Sequence, residues 1–402
     1  MTLQRARLIL RREFLAETAR AAAGVSLFPL VACSAASQNV ANLPDETAAD
    51  LEKQIPSLMA QALVPGLSIA LIKEGKLHWR RGFGVKNTAS KEIVDTDTVF
   101  EAASTSKPVF AYAVMKLCER GVMDLDAPLT KYTPERLLGG DPRLDLITAR
   151  HVLSHTSGLP NFRSGRSPLA IHFTPGSQWS YSGEGYSYLQ SVVTRLAGGR
   201  VNVNDCAKFE ADLEVCAVEP SIDTFMRTNV LEPFDMSDSG YLWTDAMEAH
   251  MARGHNEKAK PSDGSRKPTG PGIARYGVLG GLNTTPTDYA KFLVEILDPK
   301  PLDEHRLTKN SLREMLRPQV RRNAESSWAL GWEINHTPTG DFIRHGGGNP
   351  GFQCFVAASV ERKAGCVIMT NSENGYYGVI AKLLTGDTLT RFLGGSLRQR
   401  AE

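Results

Sequence analysis

Apolar residues in the first part of the chain follow the spacing of a helix and then that of a hairpin. Residues 45–63 have the pattern of an amphipathic helix, and Pro56 predicts that this helix is interrupted or kinked. Residues 66–72 form an apolar, β-prone run. The turn-forming residues 73–75 follow, and residues 76–85 return as a second strand.

The rest of the chain separates into a helical middle and a strand-rich end. Residues 108–118 predict a helix that places Phe110, Val114 and Leu117 on one face. Helices and long Gly/Pro-punctuated loops continue to about residue 325. Strand patterns return at 328–334, 341–345, 351–359 and 365–371, and a last helix begins at about Tyr377.

This order of elements predicts an α/β (α+β) fold. One antiparallel sheet is built from both chain ends and flanked by helices, and a mainly helical lobe covers about residues 110–325. A cleft is expected between them. The length of 402 residues also favours two lobes, because single cores stop growing near ~250–300 residues.

Charge is concentrated at the N-terminus. The formal net charge is +2, and the first 33 residues contribute five Arg against two acidic residues, so the remainder carries −1. This nearly neutral body offers no basic surface for nucleic acid, and no nucleic-acid partner is expected.

Residues 1–33 have the layout of an export signal. Residues 11–15 (RREFL) resemble a twin-arginine motif, residues 21–32 are modestly apolar, and residues 30–33 (LVAC) resemble a lipobox. We predict a linker over 34–44, a domain over 45–402, and a periplasmic or membrane-anchored location through a lipidated Cys33. Simple cleavage, or a cytoplasmic protein with an Arg-rich first helix, remains the alternative.

Five cysteines follow Cys33, an odd number that leaves at least one thiol without an intramolecular partner. Cys206 and Cys216 lie in one polar segment and are a candidate disulfide. Cys354 and Cys366 flank a predicted hairpin turn, where they would face each other across two strands. Each cysteine could instead fill a small apolar space.

The segment Ser104-Thr105-Ser106-Lys107-Pro108 carries the first candidate chemistry. Pro108 lacks an N–H and fits only the first turn of a helix, which places Ser104 at the helix entrance. Lys107 lies three residues on, on the same face. A Lys removed from water can have a pKa low enough to accept the serine proton.

Two further segments supply partners for this serine. In Tyr181-Ser182-Gly183, a tyrosinate or hydrogen-bonded tyrosine beside Lys107 could act as general base. At residues 345–351 (HGGGNPG), glycines allow a substrate close to the backbone, whose N–H groups could join that of Ser104 in an oxyanion hole. Taken singly, these segments are a capped helix, a core tyrosine and a glycine-rich turn.

Together and in this order, the three segments resemble the superfamily of penicillin-binding proteins and class C β-lactamases, with its D-peptidase and family VIII carboxylesterase relatives. The resemblance covers roughly residues 45–390. Supporting segments follow in the family's order: Val64-Pro65-Gly66, residues 151–159 (HVLSHTSGL), Gly280-Gly281-Leu282, Gly331-Trp332 and Thr370-Asn371-Ser372.

The resemblance implies a β-lactamase/transpeptidase-like fold and an acyl-enzyme mechanism without cofactor or metal. Ser104 attacks a carbonyl, Lys107 and Tyr181 relay its proton, and His345 takes the family's Lys/His-x-Gly position. The oxyanion and substrate-binding residues are Ser104, Gly347 and Gly348, with the N–H groups of Ser104 and Gly348 as donors.

Two features depart from the family pattern. Gly183 stands where the family often has an Asn that binds a substrate amide, so Gly183→Asn should favour amide-bearing substrates. Glu184 is expected to be a solvated carboxylate rather than a replacement. An apparent insertion over about 199–218 either shapes the cleft edge, binds a partner or is a surface excursion.

Two other motifs are set aside. His151 and His155 have the spacing of a metal-binding pair, but no Glu follows His151, so no metal site is expected. We expect His155 to have a capping and packing role near Ser157-Gly158. The residues from His345 also resemble a lipase oxyanion motif, but the chain has no G-x-S-x-G elbow.

The sequence therefore predicts a serine hydrolase acting on a small ester or a D-amino-acid amide or peptide, with esters preferred. His345 is expected to be mostly neutral at pH 7 and so to hold a carboxylate weakly. Arg344 should point to the opposite face of its strand. The alternatives are a β-lactamase or D,D-carboxypeptidase, and a non-catalytic envelope binding protein that keeps the fold.

Overall fold

The structure, a computed structural model, describes residues 46–133, 140–162, 169–201, 217–218, 222–262, 276–301 and 303–397. The predicted export signal and linker, with Cys33, lie outside these residues, as do Cys206 and Cys216. Export, lipidation and the disulfide therefore stay predictions. Of the predicted insertion, the pairing of its two ends, Arg200–Val201 with Ala217–Val218, is described.

The main element is an eight-stranded antiparallel sheet built from both ends of the chain, as predicted. The strand order is β2-β1-β12-β11-β10-β9-β8-β7. Within the described ranges the strands are β1 (Gly66–Lys73), β2 (Lys76–Gly84), β3 (Phe100–Glu101), β4 (Arg200–Val201), β5 (Ala217–Val218), β6 (Asn283–Thr284), β7 (Val320–Arg321), β8 (Ser326–Trp328), β9 (Glu333–Thr337), β10 (Gly340–Asn349), β11 (Phe352–Ser359) and β12 (Ala364–Thr370).

Helices cover both faces of this sheet, and most of them belong to the middle of the chain. The α-helices in the part of the chain that the structure describes are α1 (Glu46–Ala62), α2 (Ser106–Glu119), α3 (Ala149–Leu153), α4 (Gly183–Leu196), α5 (Ile222–Met226), α6 (Asp245–Glu248), α7 (Gly277–Gly280), α8 (Pro286–Leu297), α9 (Lys309–Leu316), α10 (Ala381–Thr385) and α11 (Asp387–Leu393). Within the described residues, no helix combines the length and apolar character needed to cross a membrane.

The sheet lies between two layers of helices, and side chains that alternate along β1 pack against both layers. Leu67, Ile69 and Leu71 pack on one face with residues of α1, α10 and α11. Ala70 and Ile72 point to the other face and join the core of the helical lobe. Because helices cover both faces, β1 is buried over all but its last residue and is an apolar run without polar alternation.

α2 runs through the centre of the helical lobe. The sequence predicted one apolar face, but residues from Ser106 to Leu117 are buried all round, including Lys107 and Lys116. The helix also begins two residues before the predicted start. The turn that precedes its N-terminus, Ala103–Thr105, contacts β10 and β11 of the sheet.

Two predicted elements differ from the structure. α1 continues through Pro56 without interruption. The single strand predicted over 328–334 is instead the hairpin of β8 and β9, because Gly331 adopts a positive φ of 83° and reverses the chain. The Ala329 N–H donates to the Trp332 carbonyl at 2.8 Å and closes this turn.

The predicted facing of Cys354 and Cys366 is wrong. In the register of β11 and β12, Cys354 lies opposite Met369 and Cys366 lies opposite Ala357. The two thiols point to opposite faces of the sheet and belong to different cores. Both are buried and free, so they fill apolar space.

Gly331→Ala is expected to destabilise the protein by about 2 kcal/mol or more, because the left-handed φ and the lost space add. A Cβ at this position would lie 2.6 Å from the Ala111 Cβ of α2. Gly140→Ala is the matched control, since a Cβ there has no atom within 4 Å. Urea unfolding measures both variants. Equal midpoints for the two variants would contradict the role given to Gly331.

Candidate active site

Ser104 lies in a tight turn directly before α2, as its spacing to Pro108 predicted. The turn spans Ala103–Thr105, and Ala103 adopts a positive φ of 48°, which is strained for a residue with a Cβ. Side chains fix the turn: Thr105 Oγ1 donates to the Ala102 carbonyl at 2.7 Å, and Ser106 Oγ donates to the Ala103 carbonyl at 2.6 Å. Backbone strain held in this way is typical of functional sites.

Lys107 is the group best placed to take the serine proton. Its Nζ lies 3.2 Å from Ser104 Oγ and donates to the Leu279 carbonyl at 2.6 Å. The side chain is buried, and desolvation lowers the pKa of the amine to about 7. Near neutral pH a large fraction of this amine is therefore uncharged and able to accept a proton.

Tyr181 lies at the other side of Lys107, just before α4. The centre of its ring is 4.9 Å from Lys107 Nζ. Burial raises the pKa of the phenol, and the nearby Ser104 side chain offsets only part of that rise. The buried hydroxyl lies beside Ser104 without a hydrogen bond of good geometry. The tyrosinate considered from the sequence is therefore disfavoured, and Tyr181 is a neutral phenol that can pass a proton.

The glycine run belongs to a strand rather than to a turn. β10 continues to Asn349, although its pairing with β9 ends at Arg344. A Cβ on Gly347 would lie 2.7 Å from the Ala102 carbonyl oxygen and 3.0 Å from the Ser104 nitrogen, so only glycine fits there. The structure thus brings the predicted residues Ser104 and Gly347 together, and Gly348 lines the same cavity.

His345 is present in the site but carries no charge. Its Nδ1–H donates to the Gly346 carbonyl at 2.7 Å, and the ring is buried. Burial, together with the charge of Lys107, lowers the pKa of His345 to about 3. Arg344 points to the other face, as expected, and forms an ion pair with Glu333 at 2.8 Å.

A cavity of about 480 Å³ opens above Ser104. Its wall includes several aromatic side chains and one guanidinium that the sequence interpretation did not identify as site residues: Trp179, Arg322, Trp328, Phe355 and Tyr376. Arg322 stacks on Trp179 with 4.1 Å between guanidinium and ring centre. Strand alternation was the available signal for Trp328 and Phe355, but their distance from Ser104 depends on the tertiary fold.

The surroundings of Gly183 explain why a glycine stands there. The Gly183 N–H donates to Asn161 Oδ1 at 3.1 Å, and a Cβ would lie 2.5 Å from the Asn161 carbonyl oxygen. The backbone at Asn161 therefore occupies the space of a side chain at 183. Glu184, expected to be solvated, is buried, because the first turn of α4 faces the interior.

The two histidines of the 151–155 segment have separate roles. His151 completes a capping box with Thr148 at the start of α3. His155 has a positive φ of 56° and its ring packs on Tyr181, which agrees with the expected packing role, whereas the capping role belongs to His151. Among the described residues, no three His, Cys, Asp or Glu side chains form a group that could hold a metal ion.

Comparison with characterised proteins agrees with this geometry. The chain is 20% identical over 351 residues to Protein flp of Staphylococcus aureus strain N315, which covers 83% of this chain and 65% of the relative. It is 22% identical over 324 residues to Penicillin-binding protein 4* of Bacillus subtilis strain 168, which covers 74% of this chain and 66% of the relative. The chain thus spans slightly less than two thirds of these relatives.

Two solved structures share the fold. The octameric penicillin-binding protein homologue from Pyrococcus abyssi has a TM-score of 0.66 and 22% identity, and the match covers 87% of this chain and 78% of that one. The D-alanine carboxypeptidase AmpC from Burkholderia cenocepacia has a TM-score of 0.69 and 19% identity, and the match covers 88% of this chain and 99% of that one.

A family model settles the classification. The model described as Beta-lactamase matches residues 51–385, which is most of the chain and includes Ser104, Lys107, Tyr181 and His345. The superfamily of β-lactamases and penicillin-binding proteins consists of serine hydrolases. The chain belongs to the β-lactamase family.

Proposed function

We propose that this protein is a serine hydrolase that forms an acyl-enzyme on Ser104 and acts preferentially on small esters. The observation that carries the proposal is the pair of Ser104 and Lys107, with 3.2 Å between oxygen and nitrogen. An amine with a pKa of about 7 is largely neutral near pH 7, so it can act as a general base that activates the neighbouring serine hydroxyl as a nucleophile. This feature also argues against a non-catalytic binding protein.

The first half of the reaction assigns each group one task. Ser104 Oγ attacks the substrate carbonyl carbon, and its proton moves to the neutral amine of Lys107. The N–H groups of Ser104 and Gly348 stabilise the oxyanion. The proton then passes from Lys107, through the Tyr181 hydroxyl, to the leaving alcohol as the carbon–oxygen bond breaks. Water later attacks the acyl-enzyme, with the same groups acting in reverse.

Three features support esters over amides and β-lactams. Gly183 offers no side chain to a substrate amide, and an amide buried without partners loses about 1–3 kcal/mol per unpaired group. The neutral His345 adds no positive charge to hold a carboxylate. Much of the cavity wall is aromatic and suits an apolar acyl or alkyl group.

A β-lactamase or D,D-carboxypeptidase activity is the second candidate. Its support is the match with the D-alanine carboxypeptidase of Burkholderia cenocepacia, which extends over 99% of that chain. Arg322 also places a guanidinium in the cavity wall, although Glu333 binds it at 2.8 Å.

Ser104→Ala is expected to abolish covalent labelling by a fluorophosphonate, because the attacking oxygen is removed. Ser191→Ala is the control: this serine lies on α4 and its Oγ donates to the Tyr188 carbonyl at 2.7 Å. Intact-protein mass spectrometry measures the adduct, and thermal unfolding checks that both variants fold. Labelling of folded Ser104→Ala at the wild-type rate would refute the assignment.

The rate of acylation should rise with pH through a midpoint of about 7. Lys107 is protonated and inactive below its lowered pKa, and neutral and active above it. Lys107→Arg should reduce kcat/KM by about 10²–10⁴-fold and remove this midpoint, because a guanidinium stays protonated. The measurement is kcat/KM for a p-nitrophenyl ester from pH 5 to 9. A wild-type kcat/KM that still rises tenfold per pH unit at pH 9, with no plateau, would contradict the role of Lys107.

Wild-type protein should turn over a short-chain p-nitrophenyl ester with a higher kcat/KM than nitrocefin or a D-alanyl peptide. Gly183→Asn alone is no longer a clean test, because any Cβ collides with Asn161 at a cost of about 1–3 kcal/mol. Gly183→Ala is the matched variant that shares the collision. The prediction is that Gly183→Asn favours amide-bearing substrates relative to Gly183→Ala. Equal substrate ratios in the two variants would remove the argument from this position.

A further inference from the structure

His155 holds the backbone on both sides of Tyr181. Its carbonyl oxygen accepts the Ser180 N–H at 2.8 Å, and its ring Nδ1 accepts the Ser182 N–H at 3.0 Å. One residue can make both bonds because His155 adopts a positive φ of 56° just after α3. Such a conformation is uncommon outside glycine, and histidine is among the side chains that adopt it more often.

The ring of His155 also restrains the ring of Tyr181 directly. Their centres are 4.1 Å apart with 31° between the planes. On its other sides His155 contacts Trp328 at 4.8 Å and Tyr186 at 5.3 Å between ring centres. His155 has no exposed surface, so Tyr181 packs against a fixed wall rather than a mobile side chain.

This arrangement requires a neutral imidazole. A backbone N–H can only donate, so Nδ1 of His155 keeps its lone pair and the ring proton is on Nε2. Burial and the charges of Lys107, His345 and Arg322 all lower the pKa of His155, and burial contributes most. A proton on Nδ1 would break the bond to Ser182, so the clamp and the charged ring exclude each other.

We propose that His155 is a positioning residue for proton transfer: as a neutral ring it fixes Tyr181 over Lys107 and thereby keeps water away from Lys107 Nζ. The proposal rests on the proposed function, in which Lys107 and Tyr181 move the serine proton. It concerns a residue that does not line the cavity above Ser104.

The clamp has a consequence for the pH dependence of the reaction. The Tyr181 ring, 4.9 Å from Lys107 Nζ, is part of the dry wall that lowers the pKa of Lys107 to about 7. When the ring is free to move, water reaches the amine, desolvation falls, and the pKa of Lys107 rises toward the ordinary lysine value of 10.5. The acidic limb of the rate profile then moves to higher pH.

The experiment compares two substitutions and a control. His155→Leu removes the acceptor. His155→Asn keeps an acceptor oxygen and tolerates the positive φ. His151→Asn is the matched control, because this half-buried histidine belongs to the same segment and its ring takes part in the capping box of α3. Each variant is measured for thermal unfolding, for kcat and KM with a p-nitrophenyl ester, and for the midpoint of kcat/KM against pH.

The expected result is a loss of about 10²-fold or more in kcat for His155→Leu, within the scale of general acid–base groups, with a smaller change in KM. Its pH midpoint should rise by at least one unit. His155→Asn should recover kcat at least tenfold over His155→Leu and restore the midpoint, and His151→Asn should match wild type in both. Folded His155→Leu with wild-type kcat and midpoint would overturn the proposal.

A second measurement on unaltered protein keeps the proposal testable if His155→Leu does not fold. ¹⁵N NMR of labelled histidine should show His155 as the neutral Nε2–H form at pH 6, and a ring that is protonated at that pH overturns the clamp. Failure of the proposed function looks different, because fluorophosphonate labelling would then be absent in wild type or would persist in Ser104→Ala.

Discussion

The removal of the Lys107 amine from water is the constraint on which the site depends. An ammonium in an apolar interior is costly, and the protein keeps the amine there by offering the Leu279 carbonyl and the Ser104 hydroxyl as its two acceptors. The Leu279 carbonyl is in turn held by α7, whose Val278 N–H donates to Gln190 Oε1 on α4 at 2.7 Å. Three helices that are distant in sequence, α2, α4 and α7, thus together fix the position of Lys107 Nζ.

The sheet places extended backbone beside the nucleophile, because the last residues of β10 continue beyond its pairing with β9. β10 passes within contact distance of the turn that carries Ser104, and a side chain at Gly347 would collide with it. Asn349 secures the end of this strand by donating to Glu101 at 2.7 Å and to the Gly280 carbonyl at 3.1 Å. The strained turn at Ser104, the glycine-containing end of β10 and the buried Lys107 amine therefore support one another.

Local patterns predicted those parts of the structure that depend on local physics. Pro108 placed Ser104 at a helix entrance, and period-two runs placed most strands. The errors arose where tertiary structure decides: the left-handed Gly331 divided a predicted strand, register separated Cys354 from Cys366, and the facing of α4 buried Glu184. Trp328 and the clamp by His155 were missed because no local pattern shows that distant segments meet.

Among the four titratable groups Lys107, His155, Tyr181 and His345 of the described site, the environments leave one able to change its protonation near neutral pH. Burial raises the pKa of Tyr181 and keeps the phenol protonated. Burial also lowers the pKa of His345 to about 3 and that of His155 well below its usual value, so both rings stay neutral. Lys107 alone, with a pKa of about 7, lies between these limits. Environments that separate pKa values in this way assign acid–base roles, because a proton taken from Ser104 has one strong acceptor and the neighbouring groups can only orient or pass it on.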